Sequence, residues 1–417
     1  MLNKNGEREL AYVVVINDVT PISGYDRVEL AHVGGWTIVV GKGEFKVGDP
    51  AIYFEIDSKL PEVKPFTDME FLAKKHYKVK TQKMCKSISQ GLLMSAENFG
   101  WKPFKGVVDK NTGISNPEYP GIADEENQRV FFANNDSRFL TKILGVTYAE
   151  AEDNKRKAKP ADKYKVMAQR HGKLFAKQPF RWLMQRDWGK RLLFVFFGKK
   201  KDKSNWPEWV KKTDEERIQN CPHALGWKVK WTATEKVDGT STTFTIRRGK
   251  HRWNNPEFFV CSRNVCFRTG NENVYYDTNV YTEMAQKYWM RDVLTSLLER
   301  YPNEEWITIQ GETYGLGIQK NDYGLKEHKL AVFNLIFSST GRVSTELMKQ
   351  IMDEYSIPCV PILAERVELP NDVDAVVAMA DGKSELYDGM REGIVFRSED
   401  GKQSFKAVSN EYLLKCH

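Results

Sequence analysis

Apolar and polar positions alternate along the first hundred residues in short blocks. Residues 11–16 form a β-branched run, and residues 27–33 alternate polar with apolar. Gly34-Gly35 interrupts before the apolar stretch 36–40, and Gly41 and Gly43 close it. Gly48-Asp49 then precedes 50–56, and 90–94 reads as a later strand. Strands of this length with glycine turns predict a small antiparallel barrel or sandwich. Beyond residue 221 the period changes. Strands are expected over 228–234, 241–247, 258–261, 306–311, 329–337 and 393–397, with helices over 281–300 and 345–354. Strand runs with helices between them predict an α+β domain of antiparallel sheets with flanking helices.

Three parts follow from this pattern: residues 1–105, a middle stretch 106–220, and 221–417. A five-stranded OB-like barrel is the first choice for the N-terminal part. Lys78 and Lys80 would share one strand face there, as OB folds require to track a nucleic-acid backbone; an ordinary lysine-bearing β surface accounts for the same spacing. In the middle part, residues 134–137 read as a turn and helix start. Thr213-x-x-Glu216 is a capping-box pattern that predicts a short helix.

Charge sharpens the middle part. The 417 residues carry 63 Lys/Arg and 56 Asp/Glu, a net +7. Residues 155–203 hold 17 of the basic residues and three Asp, so the rest of the chain is acidic. The block is interleaved with Phe175, Phe180, Trp182, Trp188, Phe194, Phe196 and Phe197. A polyanionic partner, nucleic acid ahead of anionic membrane, suits this composition. A solvated connector, with residues 194–197 anchored on a neighbouring domain, suits it equally.

Apolar content of 41% and charged content of 29% are those of a globular chain. The apolar run at residues 192–197, like the run at 10–16, is far short of the roughly 20 residues that span a bilayer. The first residues lack a secretory apolar core, so no membrane and a cytoplasmic location, or a nuclear one in a eukaryote, are expected. Six cysteines without CxxC, and seven histidines without HxxxH, argue against structural zinc and for reduced thiols.

The candidate chemistry starts at Glu235-Lys236-Val237-Asp238-Gly239, between two strand-like runs. A lysine at a strand end beside a turn can serve as a nucleophile once its amine loses its proton. Glycine three residues on allows positive φ and close approach of a ligand to the backbone. An exposed lysine before a hairpin turn explains the same five residues. Ser262-Arg263-Asn264, Glu312 after an apolar strand, Phe333 within another, Glu392-Gly393 and Lys406 follow in order, with polar residues at strand ends.

As an ordered set these motifs resemble the covalent nucleotidyltransferase superfamily of ATP-dependent ligases and RNA capping enzymes. Within it, they resemble most closely the ATP-dependent RNA ligases with an N-terminal OB-like module. The resemblance implies Lys236 as the nucleophile of a KxDG motif that takes AMP from ATP. It implies ATP-binding roles for Glu235, Lys236, Asp238, Gly239, Arg263, Glu312, Phe333, Glu392, Lys402 and Lys406. Within that set Arg263 meets a ribose, Phe333 stacks on adenine and Lys406 meets the α-phosphate. Asp238, Glu312 and Glu392 would support Mg²⁺ or Mn²⁺. Lys406, with Lys402, would also lower the pKa of Lys236. The implied reaction joins 3′-hydroxyl and 5′-phosphate RNA ends at nicks, in an RNA/RNA or RNA/DNA duplex, in RNA repair.

Two departures stand out. The last motif of the superfamily is Lys-x-Lys, whereas Ser404 or Val408 takes the second lysine's position here, leaving Lys402 as a substitute on the same strand face. No role attaches to Arg397. The short stretch after Lys406 leaves no room for the C-terminal OB domain of DNA ligases and capping enzymes, which favours RNA ligase over both. A non-catalytic nucleic-acid-binding protein with a degenerate ligase domain is the competing class, with a tRNA-binding accessory protein as the third.

Overall fold

The computed structural model describes residues 1–2, 8–101, 105–108, 115–118, 139–149, 164, 174, 177–197, 206–249, 255–263, 265–268 and 279–416. The turn expected at 134–137, Phe175, Asn264 and much of the basic block lie outside them.

The N-terminal strands are β1 (Ala11–Val15), β2 (Asp18–Pro21), β3 (Val28–Val33), β4 (Trp36–Gly41), β5 (Pro50–Phe54), β6 (Ser58–Lys59), β7 (Thr81–Met84), β8 (Ser87–Gln90) and β9 (Leu92–Met94). They pair as β1-β5-β9, β2-β3-β4 and β7-β8, so among the described residues no single five-stranded ladder closes. Two apolar clusters fill the module. One centres on Ile52, Phe54, Leu60 and Phe66; the other centres on Trp36, Ile38 and Tyr53 and takes in Val408 and Leu413 from the chain's far end. Two further pairs complete this half: β10 (Lys105–Val108) with β11 (Ser115–Glu118), and β12 (Thr147–Tyr148) with β6. Lys78 and Lys80 do not share a strand. Helix α1 (Glu70–Lys74) ends just before them, and His76 and Tyr77 turn the chain at positive φ, so β7 begins only at Thr81.

In the middle part, α2 (Phe180–Met184) and α3 (Asp187–Phe197) pack on each other with Tyr164 and Leu174. Anchoring of 194–197 on a neighbouring domain was expected; Phe194 and Phe197 pack instead within this cluster of the middle part, and Phe196 is 73% exposed.

The C-terminal half holds two sheets. The larger has the order β16-β15-β14-β17-β18-β19, from β14 (Thr240–Arg247), β15 (Glu257–Cys261), β16 (Cys266–Arg268), β17 (Trp306–Gly315), β18 (His328–Phe337) and β19 (Gly341–Arg342). The smaller has the order β20-β13-β21-β22, from β13 (Trp231–Lys236), β20 (Ile362–Val367), β21 (Gly393–Ser398) and β22 (Ser404–Val408). Every pairing in both is antiparallel.

Helices α4 (Val280–Lys287), α5 (Met290–Arg300) and α6 (Thr345–Glu354) cover one face of the larger sheet, burying Phe244, Ile246, Ile307 and Ile309 with Leu294 and Leu297. One helix over 281–300 was expected; Trp289 at φ +51 breaks it in two. Tyr281 and Met284 are out of phase with Met290, Leu294 and Leu297 on a straight 3.6-residue helix. A left-handed residue resets the phase and lets both sets reach one core. Helix α7 (Val373–Met379) covers the smaller sheet, whose core face carries Trp231, Ala233, Ile394, Phe396, Phe405 and Ala407.

The helix expected from Thr213 does not form, and the first helical residue is Ile218. Tertiary bonds outbid the local capping pattern. The Lys406 amide donates to the Glu216 carbonyl at 2.7 Å, and the Thr213 hydroxyl pairs with that of Ser241 at 2.6 Å.

Candidate active site

The strand period of two explains which side chains meet. On β13, Trp231 and Ala233 enter the core, so Thr234 and Lys236 face the other way. On β21 and β22 the same rule buries Ile394, Phe396, Phe405 and Ala407 and turns Val395, Arg397, Lys406 and Val408 outward. The outward faces border a cavity of about 780 Å³, walled also by β14, β17, β18 and the N-terminal module.

Lys236 ends β13, and β14 begins at Thr240 in the other sheet, so the KxDG turn is an inter-sheet crossing and not a hairpin. Gly239 serves packing there. A Cβ at that position would stand 2.4 Å from the Thr313 carbonyl oxygen and 2.9 Å from Glu312 Cγ. The expected positive φ is not found.

Lys236 Nζ donates to Glu392 Oε2 at 2.6 Å. Burial alone would lower the pKa of this amine, but Glu392, Glu312 and Asp238 outweigh it and the net shift is upward. The lowering expected from Lys406 does not decide the net shift. Lys406 is the depressed amine, pushed down to about 8 by burial and by Arg8, Arg217 and Lys236, against the pull of Asp214. Its Nζ reaches Asp214 Oδ1 at 3.1 Å, and Arg263 holds the other oxygen of that carboxylate at 2.6 Å.

Glu312 is pushed up to about 8, first by burial and then by Glu392 and Asp238, with Lys236 and Arg263 opposing. Asp238 accepts from the Tyr412 hydroxyl at 2.9 Å, and its amide donates to the Tyr323 hydroxyl at 2.8 Å. Among the described residues no three acidic, His or Cys side chains converge closely enough to grip a bare ion. Asp238, Glu312 and Glu392 do not close into a direct ligand set. Their mutual repulsion, read from Glu312, still suits a cation that keeps its waters and meets the carboxylates through them.

Glu235 shares the core-side parity of Trp231. Its carboxylate accepts from the Ser384 hydroxyl and, at 2.8 Å, from the Glu385 amide, tying a loop across the cavity rim. Burial raises its pKa. Phe333 reaches the cavity through a bulge. Gln310 pairs with Asn334 and Gly311 with Val332, so Phe333 is the extra residue and is re-aimed. Arg397, without a role from sequence, lies with its guanidinium carbon 5.6 Å from the Phe333 ring centre and donates to Asn334 and Thr234.

Lys402 does not join this group. The chain turns at residues 399–403, Gly401 has φ +70, and Lys402 is 80% exposed beside Asp400. The cations that do surround Lys406 are Arg8 and Arg217. Sequence reasoning missed both, along with Asp57 and Asp214 on the cavity wall. The only signal was the cluster of charges at 213–217. The module reaches the site through Arg217, which donates to Asp57 at 3.0 Å, and through Asn220, which accepts from Trp36 Nε1 at 2.7 Å.

A family model described as RNA ligase matches residues 229–409, and one described as an OB-fold domain matches residues 10–96. A search of curated proteins finds no match. Among solved structures, a Naegleria gruberi RNA ligase with PPi is 26% identical over 98% of both chains, with a TM-score of 0.67. Mutants of that ligase, one with AMP and Mn and another with ATP and Mn, are each 25% identical over 97% of this chain and 98% of theirs, with a TM-score of 0.66. The barrel-like module, the two-sheet domain and the lysine between the sheets are thus those of a known enzyme type. The chain combines a match to the RNA ligase family over residues 229–409 with an OB-fold match ahead of it, the order expected from its motifs.

Proposed function

We propose that this ligase uses ATP to join 3′-hydroxyl and 5′-phosphate RNA ends at nicks in a duplex, RNA paired with RNA or DNA, in RNA repair. One observation carries the reading. Lys236 of the KxDG turn opens onto a cavity that also receives Glu312, Phe333, Glu392 and Lys406, in the motif order of the family. ATP, AMP, PPi and Mn in the related Naegleria structures support ATP and a divalent metal here.

Phosphoryl transfer asks for an in-line nucleophile and charge neutralisation. Lys236 Nζ must first part from Glu392 and shed a proton; it then attacks the α-phosphorus, pyrophosphate leaves and lysyl-AMP remains. The AMP passes to a 5′-phosphate, and a 3′-hydroxyl displaces it. Phe333 supplies a flat face for adenine. Lys406 meets phosphate charge, and Arg263 the ribose. A divalent ion supported through water by Asp238, Glu312 and Glu392 would supply further positive charge at the phosphates. Glu235 shapes the rim by holding the loop at 384–385.

Residues 1–105 would hold nucleic acid, residues 106–220 would connect or grip the strand, and residues 221–417 would carry the chemistry, in the cytoplasm or nucleus. The test is incubation with labelled ATP, GTP or NAD and a denaturing gel. Label from ATP retained by wild type and absent from Lys236→Ala is expected; label retained by that mutant would reject the nucleophile. Failure to seal a nicked duplex that single-stranded ends survive would reject the nick.

A further inference from the structure

The strap at residues 211–217 is unused by the mechanism above, yet it crosses the cavity. It is held at several points. Gln310 Nε2 donates to the Lys211 carbonyl at 2.9 Å, Thr213 bonds Ser241, and the Glu216 carbonyl accepts from the Lys406 amide. Glu215 takes Arg342 at 3.2 Å and the Ser404 hydroxyl. Between these anchors the Asp214 side chain, 12% exposed, enters the cavity and bridges Lys406 and Arg263 with its two oxygens.

A carboxylate that joins a lysine and an arginine in this way occupies the donors that two phosphate oxygens would use. We propose that Asp214 is an internal phosphate surrogate, which holds Lys406 and Arg263 in the free enzyme and competes with nucleotide phosphates and with pyrophosphate for them. This rests on the reading of Lys406 and Arg263 as ligands of the nucleotide.

The electrostatics agree with the geometry. Burial would raise the pKa of Asp214, but Lys406, Arg8 and Arg263 hold it well below the ordinary carboxylate range, so protonation does not disarm it near neutral pH. A phosphate arriving at the two cations must turn the carboxylate away or face a like charge. The backbone anchors keep the strap in reach, so Asp214 returns when pyrophosphate leaves. That return opposes rebinding, and with it the reversal of lysyl-AMP formation, in which pyrophosphate oxygen attacks the adenylyl phosphorus and Lys236 departs. Without the competitor, the buried Lys406 and the half-exposed Arg263 would retain pyrophosphate.

The test is calorimetric titration of the full chain with pyrophosphate and with ATP. Asp214→Asn keeps the shape and removes the charge. Its dissociation constant for pyrophosphate should fall about tenfold, the scale of one charge-assisted hydrogen bond. Weaker or unchanged pyrophosphate binding by a folded Asp214→Asn, with Lys406→Met and Arg263→Met both weakened, would overturn the surrogate and make Asp214 a positioning residue. Unchanged binding in Lys406→Met and Arg263→Met would instead overturn the reading of the site. Should Asp214→Asn not fold, hydrogen exchange on wild type decides. Saturating pyrophosphate should speed exchange of amides 213–217, and unaltered exchange there would reject the proposal.

Discussion

Lys236 Nζ lies 2.6 Å from Glu392 Oε2, in a pair that joins the end of β13 to the residue before β21, the two central strands of the smaller sheet, on the cavity wall. The Lys236 amine is thereby favoured as an ammonium, because Glu392, Glu312 and Asp238 together outweigh the burial that would lower its pKa. Glu392→Gln removes the leading carboxylate. The pH profile of single-turnover lysyl-AMP formation should then shift its acidic limb to lower pH, even as the maximal rate falls. A limb that stays in place would mean that the lysine's proton is governed elsewhere.

Glu312 gives the clearest dependence of stability on pH. Its folded-state pKa, about 8, stands above that of an unfolded glutamate. The folded state therefore binds the proton more tightly, and the stabilisation present below the unfolded value is lost as pH rises through about 8. Thermal melts of wild type without nucleotide or metal should lose stability over that window, by an amount on the order of a few kcal/mol. Glu312→Gln should abolish the decline and melt higher than wild type at the alkaline end. Parallel curves for the two proteins would refute the shift.

The contrast between these two acids shows what was legible in the sequence. Lys236, Glu312, Glu392 and Lys406 stood out because each lies on or beside a strand whose period of two decides its face, and, with Phe333 at a bulge, because their order resembles a family. Strand positions were readable for the same reason. What failed depended on long-range contacts. Thr213-x-x-Glu216 has a helical signature, but its side chains and carbonyls are claimed by Ser241 and Lys406, more than a hundred residues away in the second case. Arg8 and Arg217 join the site only because the N-terminal module docks there. Lys402 looked right by strand parity, but parity lapses where Gly401 turns the chain.

Lys406 and Lys402 can be told apart directly. Lys406 is 7% exposed on the cavity wall; Lys402 stands in solvent. Lys402→Ala should leave adenylation within about twofold, since an exposed pair is worth little. Lys406→Met should reduce it by roughly a hundredfold, the scale of losing one preorganised charge at a transition state. Radiolabel transfer in single-turnover assays, with melting curves to confirm folding, measures both. A large effect of Lys402→Ala would restore it as the second lysine of the last motif.

Gly35 tests whether the N-terminal module must dock for strand joining. Its amide donates to the Gln219 carbonyl at 3.0 Å. A Cβ there would stand 2.8 Å from Gln219 Cα and 2.8 Å from Val373 Cγ1, so Gly35→Ala must push the module off the residues that also hold Asn220 and Arg217. The expected cost is about 1–3 kcal/mol of stability, typical of overpacking. Gly226→Ala is the control, because a Cβ there meets nothing within 4 Å and the residue needs no positive φ. If the module holds the nucleic acid, Gly35→Ala should impair sealing of a nicked duplex more than lysyl-AMP formation. Gly226→Ala should change neither. Equal loss of both steps in Gly35→Ala would assign the contact to the architecture of the ATP site, where Arg8 and Asp57 already stand, and would remove the argument for a separate role in substrate binding.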